Sequence, residues 1–344
     1  MSTTHFARNQ YYGLDIAKLF MAIVVVAIHT QPLIDCSNMI LVNISELFFK
    51  SAVPFFFLCS GFFLGKKICG KNKIEKLAQT KKYMKRIANM YVVWTVVYLP
   101  LAIYGFYLNH YSIIKSLIYY VRGFLVVGEQ YNSWILWYLL SMIYALLILY
   151  VLVKYNCSIR TIILIAFMVY GFGYVVEYIY QYNGGNVVLN RIGEIFLRLG
   201  LTKRIFSGLF FLSLGVLFSE KKMNNSFSAV FLLLGLLLFM VPFIRPIGVI
   251  IFSIAFFAIC KKWTGKNNAF CILCRRMSMV VYFVHLWLWT VIYLIVYGEK
   301  KFGVEIFCLT AVLSLVVSVL YVLVVSRFFA KKIAKRWVAD TTIP

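Results

Sequence analysis

Apolar residues fall in long blocks along this chain, and the blocks are separated by short stretches rich in lysine and arginine. About 20 apolar residues, rising about 1.5 Å each, make a helix that crosses a hydrocarbon core of about 30 Å. Blocks of that order occupy residues 13–33, 39–64, 87–107, 134–153, 159–180, 204–219, 226–244, 246–260, 278–297 and 303–326. The pattern predicts an all-α polytopic membrane protein of about ten transmembrane helices, forming a single domain over residues 1–344. The eighth block is short and Pro246 opens it, so it is expected to tilt, to break or to pack against thicker neighbours.

Two connections exceed a tight turn. Residues 65–86 are strongly basic and read as a solvated loop, either held against anionic headgroups or docking an anionic donor. Residues 108–133 contain SIIKSLIYYVRGFLVV, too short and too charged for a span, which predicts an interfacial helix. No internal repeat, low-complexity tract or soluble domain is evident.

Composition excludes a soluble globular protein. Hydrophobic residues make up 63%, charged residues only 13%, and the mean hydropathy is +0.87. A net charge of +24 does not point to nucleic acid, because the basic residues sit in short connections between apolar blocks. With the N-terminus placed in the cytoplasm, most lysines and arginines fall on the inner side. That bias predicts an even number of spans with both termini cytoplasmic. No cleavable signal is expected, since the first block is long, carries charges and lacks a small-residue cleavage site. The eight cysteines form no paired framework. Cys271 and Cys274 make one CxxC without a second pair, and a zinc site needs about four ligands, so free thiols are expected and a metal is not.

The candidate chemistry lies inside the spans. The first reads YGLDIAKLFMAIVVVAIHTQP and carries Asp15, Lys18 and His29. Eleven positions at about 100° each return to nearly the same face, so Lys18 and His29 share one side of the helix, roughly 16 Å apart along its axis. Ionisable groups within a membrane helix cost several kcal/mol unless they face protein or water, which makes this pair a functional hypothesis. Asp15 lies within reach of Lys18 as an ion-pair partner. Glu46 and Lys50 are four apart in the second span, a spacing that permits an ion pair of structural or functional use. Ser60-Gly61 in that span reads first as close helix packing. Trp134, Trp137 and Tyr138 open the fourth span where an aromatic belt is expected. In the ninth, Ser278, Tyr282 and His285 fall on one face.

Lys18-x10-His29, VPFFFLCSGFFLG at 53–65, MKRIANMY at 84–91, WYLL at 137–140 and SMVVYFVH at 278–285 together resemble the acyltransferase 3 family of bacterial integral-membrane O-acyltransferases. The resemblance implies a ten-helix core in the bacterial cytoplasmic membrane. Such a core takes an acyl group, often acetyl from cytoplasmic acetyl-CoA, and places it on a hydroxyl of a glycan or lipid-linked acceptor. Acyl-CoA would be a donor substrate, and no permanently bound cofactor is implied. The family's Arg-x10-His maps to Lys18 and His29, with lysine in place of arginine; lysine keeps the charge and lacks the planar fork. The family's serine and glycine map to Ser60 and Gly61, its fourth-helix aromatic to Trp137, and its Tyr-x-x-His to Tyr282 and His285. An acidic residue followed by proline, frequent at the end of the last core helix, is replaced by VVSRFFAKK.

On this resemblance His29 is the general base, and Lys18 holds donor phosphate or the developing oxyanion. His285 and Tyr282 orient or stabilise the reacting groups, while Lys18, Lys85, Arg86, Ser60 and Trp137 bind the donor. The chain is also similar to the membrane portion of vancomycin-resistance serine racemases, which keeps transport of L-serine or another small solute as the alternative.

Overall fold

The computed structural model describes residues 11–182, 187–199, 201–220, 227–265 and 268–340. Among these residues the chain is helical and builds no sheet. The helices are α1 (Tyr12–Thr30), α2 (Met39–Ile68), α3 (Lys73–Leu108), α4 (Ile113–Arg122), α5 (Leu136–Lys154) and α6 (Ile159–Tyr182), followed by α7 (Val187–Leu199), α8 (Ser207–Glu220), α9 (Ser228–Phe239), α10 (Arg245–Lys262), α11 (Ala269–Ile292) and α12 (Val304–Asp340). The all-α polytopic expectation holds. The chain ends, whose cytoplasmic placement the charge bias predicts, lie outside the described residues.

Eight helices among the described residues are long and apolar enough to cross a membrane. The other two predicted blocks form shorter helices. Residues 204–219 divide between a π-helical turn, Thr202–Phe206, and α8, of 14 residues. Most of α8 is buried, so protein rather than lipid surrounds it. Residues 226–244 yield only the 12 residues of α9, because Pro242, which lacks an N–H, starts a separate 3₁₀ turn. That turn joins α10 to give an apolar helical run of 21 residues, Pro242–Lys262, longer than the eighth block predicted.

The basic stretch 65–86 is not a loop. α2 continues to Ile68, the chain turns over residues 69–72, and α3 starts at Lys73. The Asn72 side chain caps α3 by accepting from the Glu75 N–H at 2.9 Å, and Lys71 pairs with Glu75 at 3.5 Å. Apart from Lys71 in the turn, the lysines thus ride on two helical extensions, and hydropathy alone truncates such helices where charge begins.

The chain forms two compact units, residues 1–52 with 259–344, and residues 53–258. In the first, α1 packs along α11 and α12 packs on both. The Gly303 N–H donates to the Thr30 carbonyl at 2.9 Å, and Trp289 Nε1 donates to the Lys301 carbonyl at 3.1 Å. These bonds fix one end of the three-helix contact.

In the second unit α2 and α8 cross backbone to backbone. A Cβ on Gly61 would lie 2.0 Å from the Leu212 carbonyl oxygen, and one on Gly215 would lie 2.3 Å from that of Leu58. Small residues at such crossings let membrane helices approach closely, so the packing reading of Gly61 holds. The predicted interfacial helix is α4, none of whose residues is buried. It runs into a π-helical turn, Gly123–Val127, whose carbonyls are taken by side chains. Tyr91 OH donates to Phe124 O at 2.6 Å, Tyr144 OH to Leu125 O, and Arg204 to Val127 O. α7 is an amphipathic helix that the sequence reading left inside a connection.

Candidate functional site

The first unit gathers the intramembrane histidines. His29 is in the last turn of α1, and His285 lies on α11 with no exposed surface. Their rings stack at a centroid separation of 5.4 Å and an interplanar angle of 28°. Nδ1 of His285 lies 3.1 Å from the Val281 carbonyl. A carbonyl only accepts, so that nitrogen carries the proton, and in the neutral ring Nε2 holds the lone pair. Nε2 is buried and has no hydrogen-bond partner among the described residues. Tyr282, also buried, sets its ring edgewise to His285 at 6.4 Å. Ser278 is on the same face, but its hydroxyl donates back to the Arg275 carbonyl at 2.9 Å.

Lys18 is near the opposite end of α1 from His29, as the helical spacing requires. Its Nζ lies 3.9 Å from Asp15 Oδ1. Asp15 is 1% exposed, and its principal partner is Arg275: Nε donates to Oδ1 at 3.0 Å and Nη2 donates to Oδ2 at 2.7 Å. This fork-to-carboxylate pair ties α1 to α11. The sequence reading placed Arg275 in an inner connection and did not single it out. The structure corrects this, because α11 begins at Ala269 and puts Arg275 on its second turn. Cys271 and Cys274 are buried on the same helix.

The second unit holds the remaining predicted residues. Ser60 Oγ lies 3.3 Å from Tyr138 OH, so α2 and the first turn of α5 meet there. Trp137, half-buried beside Tyr138, has the Arg204 guanidinium 5.7 Å from its ring centroid. Arg204 is held by Glu129 Oε1 at 2.6 Å, and its own carbonyl accepts from Ser141. Gly128 adopts φ +74° against the Trp137 backbone, where a Cβ would come within 2.6 Å, so the chain needs glycine there on both counts. Lys85 and Arg86 are exposed on α3. Arg204 and Glu129 carried no sequence signal, because they sit in connections 75 residues apart.

The model of the acyltransferase 3 family, described as an acyltransferase domain, matches residues 11–326. An amino-acid racemase of Enterococcus faecalis is 30% identical over 166 residues, 48% of this chain and 22% of the relative. A serine/alanine racemase of Enterococcus gallinarum is 30% identical over 124 residues, 36% of this chain and 17% of the relative. Each match covers less than a quarter of the relative's own length. No solved structure matches the chain.

Proposed function

The chain belongs to the acyltransferase 3 family and is a multi-pass membrane acyltransferase; from that premise we propose that it moves an acetyl group from cytoplasmic acetyl-CoA to a hydroxyl of a cell-envelope glycan or its lipid-linked precursor. The stacked His29–His285 pair inside the helices is the observation that carries this reading. The neutral imidazole of His29 takes the proton of the acceptor hydroxyl as its oxygen attacks the thioester carbonyl. The tetrahedral intermediate collapses, the carbon–sulfur bond breaks, and the imidazolium returns the proton to the departing thiolate. His285, fixed through Val281 and flanked by the Tyr282 ring, stacks on His29 and orients it. Lys18 meets donor phosphate or the developing oxyanion. Ser60, Trp137, Lys85 and Arg86 are assigned to holding the donor.

Membrane vesicles given labelled acetyl-CoA test the reading. Label is expected in lipid-linked or surface glycan, and none appearing there would overturn it. The names of the racemase relatives support a second reading, transport of an amino acid such as L-serine. Uptake of labelled L-serine that requires this protein, without acyl transfer, would establish it instead.

The membrane in question is the bacterial cytoplasmic membrane, with the α2–α3 turn inside. Cys69 is exposed in that turn and serves as a native reporter. Kept as the sole cysteine, it is expected to resist an impermeant thiol reagent applied to intact cells, while a cysteine at Gln181 reacts. The opposite labelling would invert the orientation and remove the donor from the side assigned to it.

A further inference from the structure

We propose that Arg275 binds a phosphate of the acyl-CoA donor, with Asp15 holding it in position, an assignment that rests on the reading above. Three charged groups meet at one end of the α1–α11 contact: the Asp15 carboxylate, the Arg275 guanidinium and the Lys18 ammonium. The Asp15 carboxylate thus has both cations within 4 Å of it, and the fork from Arg275 is the tighter contact.

The guanidinium geometry shows where an anion fits. Five N–H donors lie in one plane. Asp15 occupies the Nε edge, taking one bond from Nε and one from Nη2. The other edge, formed by Nη1 and the second Nη2 proton, makes no bond among the described residues, and the side chain is 46% exposed. A planar fork locked along one edge loses little freedom when the other edge closes on two phosphate oxygens, which is the bidentate geometry arginine favours. Lys18, 3.9 Å from the same carboxylate, adds a point charge. Asp15 is therefore a positioning residue, and Arg275 is the ligand.

The test is CoA binding by calorimetry to the purified protein in nanodiscs, with the thermal midpoint read in parallel. Arg275→Lys keeps a cation for Asp15 and removes the second edge. It is expected to weaken CoA about tenfold or more, as loss of charge-assisted hydrogen bonds does, with little change in midpoint. Binding of 3′-dephospho-CoA distinguishes the two phosphate sources. If the 3′-phosphate sits on Arg275, the substitution leaves dephospho-CoA binding unchanged; if the diphosphate does, both ligands weaken alike. Should Arg275→Lys fail to fold, Asp15→Asn with Arg275→Lys removes the buried charge and takes its place. CoA bound equally by wild type and variant overturns this proposal and leaves the acyl-transfer reading intact. Equal weakening of both ligands together with a collapsed midpoint overturns it too, since Arg275 would then only tie α1 to α11. A wild-type protein that binds no CoA sinks the acyl-CoA reading itself.

Discussion

His29→Ala is expected to reduce acyl transfer by about 10²–10⁴-fold, the range for loss of a general base, with the protein level in the membrane unchanged. The fold survives because α1 is held at both ends without this ring. Asp15 bonds Arg275 at one end, and the Thr30 carbonyl accepts from Gly303 at the other. His29→Gln, which keeps polarity and loses the base, is expected to fall as far as alanine does. Steady-state transfer from labelled acetyl-CoA, normalised to protein quantified in the membrane fraction, is the measurement. Near wild-type transfer by either variant rejects the catalytic role. Activity and protein falling together would mean that His29 supports the fold instead, through its stack on His285.

The second large effect belongs to packing. Gly61→Leu is expected to eliminate folded protein, because the new Cβ would sit 2.0 Å from a backbone oxygen of α8 that has no flexible side chain to move. Overpacking costs about 1–3 kcal/mol where a core yields a little. Here the helices must separate, which also parts Gly215 from Leu58. Gly61→Ala already places a Cβ there and is expected to lower the thermal midpoint in detergent. Gly171→Ala is the control. Nothing lies within 4 Å of a Cβ at that position, and alanine favours a helix interior over glycine by roughly 1 kcal/mol, so the midpoint is expected to hold or rise. A monodisperse Gly61→Leu protein as stable as wild type would refute the crossing.

Periodicity and hydropathy located the membrane helices and placed Lys18, His29, Tyr282 and His285 on the faces that the structure buries or half-buries. They failed where a helix outgrows its apolar stretch. α3 begins at Lys73, well before the apolar block at 87, and α11 begins at Ala269 rather than 278. For that reason the basic hairpin read as a loop and Arg275 as part of a connection. Pairings were invisible for a different reason. Nothing along the chain marks Arg204 as the partner of Glu129 or as the cation over Trp137, because those contacts depend on how helices and turns meet. The π-helical turn at Gly123–Val127 was equally hidden, since the carbonyls it presents find donors on Tyr91, Tyr144 and Arg204, all distant in sequence.

The bond between Asp15 and Arg275 spans 260 residues, and this has a consequence for synthesis. A ribosome adding about 5–20 residues per second makes Asp15 tens of seconds before its partner exists. During that interval α1 carries a carboxylate that the finished protein keeps almost wholly from solvent. Lys18, one turn away and 3.9 Å distant, is made almost at once and offers a provisional counter-charge within the same helix. Arrival of α11 then adds a two-bonded fork to that single long contact. The lysine that α1 presents to its site thus first serves as an escort for the nascent helix, and a nascent chain halted before α11 will depend on it more than the complete protein does.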